Sequence, residues 1–195
     1  MANEITTART RIKTKLNIVD TTFDAELLEC IEQAVPRLSP FVQYQLPSDT
    51  SVSLSTDTDT FSLPVSGSSL QKLYARTSST DVWREIDFWR QHRDEVTIHE
   101  NIGTTTYLKI YAHRPYLYAD SELALLASDY PAAMLPLYLY AMAEFATMIV
   151  GNKRKFNIYQ QMNGVRTLNE MQELVNFYEN RAATILENEI SAEGQ

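Results

Sequence analysis

The sequence predicts an α+β fold, a helical bundle with a small β domain of about five strands inserted into it. Three observations lead there. Both ends of the 195-residue chain repeat apolar residues at helical spacing, whereas residues 48 to about 113 alternate apolar and polar. Between the β region and the last helix, Pro131 to Val150 holds a single charge, Glu144. The expected division is a helical platform in two parts, 1–46 and 119–190, a β domain at 47–118, and a mobile polar tail at 191–195.

The first helix runs to about residue 18, with Ile5, Ile12 and Leu16 on one side. In the second, Thr22 can cap the start, Asp24 and Glu26 suit the positive end, and Phe23, Leu27, Ile31, Ala34 and Leu38 return to one face. Pro36 and Pro40 bend or end it, so the helical region is over by Leu46–Pro47. Cys30 falls on the apolar side of this helix. As the lone cysteine it can form no internal disulfide, and it reads as a small buried side chain made in a reducing, intracellular setting.

In the β region, "SVSLS" and "FSLPV" read as strands joined through "TDTDT", and "LQKLYAR" as a third. "EVTIH" and "TYLKIYAH" flank a turn signal at Asn101 and Gly103 and predict a hairpin. "DVWREIDFWRQHRD" fits a helix through Val82, Ile86 and Trp89 or a strand through Ile86 and Phe88. Its neighbours favour strand.

Helix resumes after Pro115, with Asp120 and Glu122 at its start. Asp129 can cap the long apolar helix, with Pro131 in its first turn, and Pro136 makes that helix start late or kink. Past Gly151 it can stop or run on, because one glycine costs only about 1 kcal/mol. A loop at Asn163–Gly164 precedes the last helix, whose seam is Leu168, Met171, Val175, Tyr178, Ala182 and Ile185. The polar end "ENEISAEGQ" is expected to be mobile.

The apolar run is long enough to cross a bilayer, and Lys153, Arg154 and Lys155 follow it as a cytoplasmic flank would. Insertion would bury Glu144 in hydrocarbon at roughly 2.5–3.5 kcal/mol. The helices at 23–42 and 168–186 also carry apolar faces that need a mate. Burial of the run between them satisfies all three segments, so no membrane partner is expected. No apolar h-region follows the start of the chain, which argues against export by a secretory signal.

Net charge of -8 argues against a surface built to grip nucleic acid. Arg9, Arg11, Lys13 and Lys15 form a local exception that can touch DNA or an acidic protein surface. The five glycines are too far apart for a dinucleotide turn or a phosphate loop. His92, His99 and His113 have no metal-ligand spacing, although a folded site joining them with Asp87 or Glu100 is conceivable. No nucleophile motif occurs. The chain therefore reads as no enzyme, with no cofactor and no metal.

Aromatic and methionine side chains crowd the long helix on several sides, more than one partner helix can cover. Tyr138, Tyr140, Phe145, Tyr159 and Tyr178 are thus candidates for core or for an oligomer or partner interface. Glu144, if buried, needs a cation, and Lys153 or Arg154 of a neighbouring subunit can supply it.

The order of elements, the segments "IYAHRPY" and "DSELALLASDYP", and the helix "LPLYLYAMAEFA" together resemble the head-to-tail adaptor (connector) proteins of tailed bacteriophages. The likeness spans about Ala8 to Ile190, while the Ser-, Thr- and Asp-rich β loops depart from the pattern. It implies a virion structural protein, made in the host cytoplasm and monomeric before assembly. Such a protein forms a ring, usually of twelve copies, under the portal protein. The ring would extend the DNA channel, pass genomic DNA without specific binding, and dock tail proteins. A small-molecule-binding helical protein or enzyme, with a site assembled only in three dimensions, is the alternative.

Overall fold

The computed structural model describes residues 3–46, 51–54, 59–78, 80–100, 106–164 and 167–190. The fold is α+β and divides into two compact units, Met1–Val42 with Tyr116–Gln195, and Gln43–Pro115. The break falls at Val42 rather than Leu46 because Tyr44–Gln45 already form a strand.

The first unit is helical. Helix α1, Glu4–Leu16, is capped by Asn3, whose side chain accepts from the Thr6 N–H, and it buries Ala8, Ile12 and Leu16. Helix α2, Asp24–Ala34, starts at Phe23 without a side-chain cap, so Thr22 does not play that role. The Thr22 N–H instead donates to the Asp20 side chain at 3.0 Å. The Asp24 carboxylate, in the first turn, is held by Arg9 at 3.3 Å and Lys13 at 2.6 Å. Pro36 lies in the short 3-10 turn Val35–Leu38 that ends α2, as a residue without an N–H should.

Helix α3, Asp120–Asp129, ends at the residue expected to cap its successor, and Pro131 opens a 3-10 turn after Tyr130. The long helix α4, Met134–Gly151, starts late enough that Pro136 sits in its first turn, where no hydrogen bond is lost. It stops at Gly151. Asn152 leaves the helix in extended backbone and its side chain accepts from the Arg154 and Lys155 N–H groups, starting α5, Lys153–Asn163. Gly164 follows at φ +79°, a conformation open to glycine. Helix α6, Leu168–Ile185, begins with a Thr167–Glu170 capping box.

Helix α4 packs against α6, α2, α1 and α5. The segment Pro131–Gly151 is the one described helix long and apolar enough to cross a membrane, and 72% of its apolar window is buried. Its centre is an edge-to-face aromatic cluster: Phe145 lies 5.3 Å from Phe23 and 5.8 Å from Tyr159, ring to ring. The seam of α6 uses Met171, Val175 and Ala182, continued by Leu186. Leu168 is 51% exposed, and Tyr178 and Ile185 are half-buried. Residues Leu186–Ile190 continue α6 as a π turn instead of trailing off, and 191–195 lie outside the described residues.

Cys30 is buried. Burial, then the carboxylates of Glu144, Glu29 and Glu26, push its thiol up to about 12, with Lys155 opposing. An unfolded thiol ionises near 9.0. Between those values the native state holds a proton that the unfolded chain has lost, so this residue subtracts stability as pH rises above 9.0. The native chain should resist a thiol-specific reagent at pH 8 and react once unfolded; fast native labelling would contradict this environment.

The second unit holds eight described strands: β1 Tyr44–Gln45, β2 Ser51–Leu54, β3 Thr60–Ser62, β4 Ser69–Arg76, β5 Arg84–Glu85, β6 Trp89–His92, β7 Glu95–Ile98 and β8 Thr106–Arg114. Five form one antiparallel sheet, in the order β1-β8-β4-β5 with β2 also on β8, and three form a second, β3-β7-β6. The hairpin expected between residues 95 and 113 does not occur. β7 pairs with β3 and β6, while β8 pairs with β4, β1 and β2. The expected turn at Asn101 and Gly103 lies outside the described residues. The actual tight hairpin joins β6 to β7 through Arg93, at φ +55°, and Asp94. Hydrogen bonds from Ser66 Oγ and the Gly67 N–H hold the Asp94 carboxyl below its usual range.

The ambiguous stretch at 82–92 forms strands in two pieces, β5 and β6, with Ile86 buried and Val82 and Phe88 exposed. In β4 the register shifts between Leu70 and Lys72. That extra residue lets Leu70 and Leu73, three apart, both face the core. There they meet Leu108, Ile110 and Ala112 of β8 and Val96 and Ile98 of β7.

Candidate functional site

Helical geometry splits the basic segment of α1. Residues four apart share a face, and residues two apart do not. Arg9 and Lys13 therefore point together and meet Asp24. Arg11 and Lys15 point elsewhere, to a groove between α1, α4 and α6 of about 610 Å³. Its apolar lining includes Met134, Leu135, Leu139 and Met142 of α4 and Phe177 of α6. Leu135 is 45% and Phe177 51% exposed.

Three cations edge the groove. The Arg11 Nη1 donates to the Tyr138 hydroxyl at 3.3 Å, with its guanidinium 5.7 Å from that ring's centre. Arg181 lies 5.9 Å from the centre of the Phe177 ring. Lys15 stands exposed. Among the described residues no carboxylate pairs with Arg11, Lys15 or Arg181, although the chain carries eight more acids than bases. The groove's described lining includes no carboxylate and no histidine. Burial raises the Tyr138 phenol and Arg11 opposes that rise, so the hydroxyl stays protonated at neutral pH. Apolar walls, positive charge without a carboxylate partner and the phenols of Tyr138 and Tyr178 suit the docking of an acidic, partly apolar group. They supply no acid–base pair for catalysis.

Of the candidates from sequence, Arg11, Lys15, Tyr138 and Tyr178 come together in this groove. Phe145 and Tyr159 are interior to the helical unit, and the Tyr159 hydroxyl donates to the Leu16 carbonyl at 3.3 Å. Glu144 has its cation within the chain: Arg37 reaches it at 2.8 Å and Glu179 at 2.9 Å, and lies 4.0 Å from the centre of the Tyr140 ring. That geometry takes the place of the Lys153 or Arg154 expected from a neighbour. Those two residues are exposed at the start of α5, and Lys155 pairs with Glu26 at 3.1 Å. Sequence reasoning missed Arg37, Leu135, Phe177 and Arg181. Phe177 and Arg181 carried a readable signal, being four apart on α6 and off its apolar seam. Arg37, in a proline-broken turn, carried none. Among the described residues no cluster of three or more His, Cys, Asp or Glu side chains could hold a metal ion.

No family model matches the chain, and no curated protein does. Among solved structures the chain is similar to one in the neck of an empty GTA particle computed with C6 symmetry. The identity is 13%, over 86% of this chain and 94% of that one, with a TM-score of 0.32, a likeness too distant to fix the fold.

Proposed function

We propose that the chain is a virion structural protein, a head-to-tail adaptor that assembles as a ring, of about twelve copies by the resemblance, under a portal protein. The ring extends the DNA channel and docks tail proteins. The observation that carries this reading is the groove: a half-open apolar surface with exposed Leu135 and Phe177 and three cations without carboxylate partners. Such a surface gains free energy when another protein covers it. In this reading the helical unit makes the subunit and portal contacts, the β unit meets the tail, and the acidic chain passes genomic DNA without gripping it.

Electron microscopy of the purified chain mixed with its portal protein tests the proposal. Rings seated on the portal are expected; chains that remain single in its presence would overturn it. A second reading, a small-molecule-binding protein, draws on the groove's volume, which falls within the range of ligand pockets. It predicts a single chain that co-purifies with a bound acid.

A further inference from the structure

On α4 the groove is a single stripe. Met134, Leu135, Tyr138, Leu139 and Met142 recur at helical spacing over about 12 Å of the helix axis, with α1 and α6 as walls. Its polar atoms are largely engaged within the chain. The Thr10 and Thr14 hydroxyls on the α1 wall donate to the Thr6 and Thr10 carbonyls at 2.8 and 3.0 Å, and the Tyr138 hydroxyl accepts from Arg11. Mid-helix N–H and C=O groups of the walls are spent inside each helix. What is left to a ligand is an apolar stripe with positive charge at its margins: Arg11 and Lys15, one turn apart on α1, and Arg181 on α6.

An extended peptide needs a strand edge or side-chain amides to satisfy its backbone, and the described lining includes no strand, no Asn and no Gln. A helix arrives with its backbone bonded internally and offers side chains at i, i+3, i+4 and i+7 to a stripe of the same spacing. We infer that the groove receives an acidic amphipathic helix of a partner protein, its apolar side against α4 and its Asp or Glu side chains against Arg11, Lys15 and Arg181. The inference rests on the adaptor reading above and names the chemistry of the partner segment that the helical unit holds. It requires no contact between free copies, so the chain stays single until the partner arrives. Covered apolar area supplies most of the affinity, and charge at the margins selects the partner.

Two labelled synthetic peptides test it on the full chain by fluorescence anisotropy. Both are helical with leucines at i, i+3, i+4 and i+7; one flanks them with glutamates and the other with lysines. The glutamate peptide should bind saturably and the lysine peptide at least about tenfold more weakly, since the margins attract one and repel the other. Raising the salt should narrow the gap. Lys15→Glu with Arg181→Glu should remove the preference. Leu135→Asp should weaken the glutamate peptide at least about tenfold by setting a charge beneath its apolar side. Circular dichroism checks folding. Should a variant unfold, Lys15→Gln with Arg181→Gln, expected to cut the preference to about threefold or less, and Leu135→Ser replace them.

Equal affinity for the two peptides, no uptake of either, or a preference that survives Lys15→Glu with Arg181→Glu overturns the inference. So does a long-chain carboxylate, seen by native mass spectrometry, that the glutamate peptide fails to displace. A chain that seats rings on the portal yet ignores the glutamate peptide sinks this contact and leaves the adaptor reading standing. One that takes up the glutamate peptide but stays single beside the portal sinks the adaptor reading and leaves the helix site standing.

Discussion

Replacing Phe145 with alanine should lower the stability of the helical unit by about 3–5 kcal/mol, the largest loss expected from a single substitution in this chain. Phe145 is fully buried on α4, with Phe23 at the start of α2 and Tyr159 on α5 both packed edge-to-face against it. The alanine would remove a ring from a site walled by three helices. Each helix is fixed by other contacts, so the cavity can close only in part. Two edge-to-face contacts, each worth about 0.5–1.5 kcal/mol beyond the buried area, disappear with the ring. Thermal unfolding followed by circular dichroism measures the loss. Phe145→Leu should recover part of it. A Phe145→Ala protein melting within a degree or two of wild type would show that the cluster is not the centre of the core.

Arg37→Ala should cost about 2 kcal/mol, less than the ring but more than an ordinary surface change. The guanidinium joins three elements, with Nη1 on Glu144 of α4, Nη2 on Glu179 of α6, and its plane near the Tyr140 ring. The charged side chains are about a third exposed, so water screens each pair and neither alone is worth much. The larger effect is what alanine leaves behind: two carboxylates without their cation, one of them on an otherwise apolar helix. Arg37→Lys should restore less than half, because an ammonium cannot serve both carboxylates and the ring with one planar fork. The Glu144→Gln variant supplies a cross-check. With Arg37 within the chain as its partner, this substitution should affect melting temperature and leave association between copies unchanged.

The helical part of the fold was readable because its signals are local. Periodicity placed α2 and α6, a continuous apolar run with one charge marked α4, the mutual-burial argument placed α4 among its neighbours, and the late start forced by Pro136 follows from a missing N–H. The misplaced caps at Thr22 and Asp129 have a different origin. A cap depends on where the chain turns into the helix, and at α2 that turn is set by Asp24 reaching back to Arg9 and Lys13 on α1.

The β unit shows the same boundary between local and distant information. Alternation marked most strands, yet it says nothing of partners. The turn residues after "EVTIH" suggested a hairpin, whereas β7 and β8 belong to different sheets. The groove was half legible. Four basic residues in α1 stood out, but only the helix divides them into a pair engaged with Asp24 and a pair left open. Its other wall comes from α6, more than 150 residues away in sequence, through side chains that no short pattern joins to α1.

Strands β1 and β8 lie side by side, with Tyr44 opposite Arg114 and Gln45 opposite His113. The first and last residues of Gln43–Pro115 are thus neighbours, clasped by ladder hydrogen bonds and by the Arg114 guanidinium 4.4 Å from the Tyr44 ring centre. This stem closes the excursion within itself, and the scaffold that carries it needs only a gap of one strand spacing, about 5 Å, between its two attachment points. Loops and strands beyond the stem can lengthen, shorten or be exchanged without redrawing the scaffold. A lineage could re-tool what this appendage touches while keeping its host architecture intact.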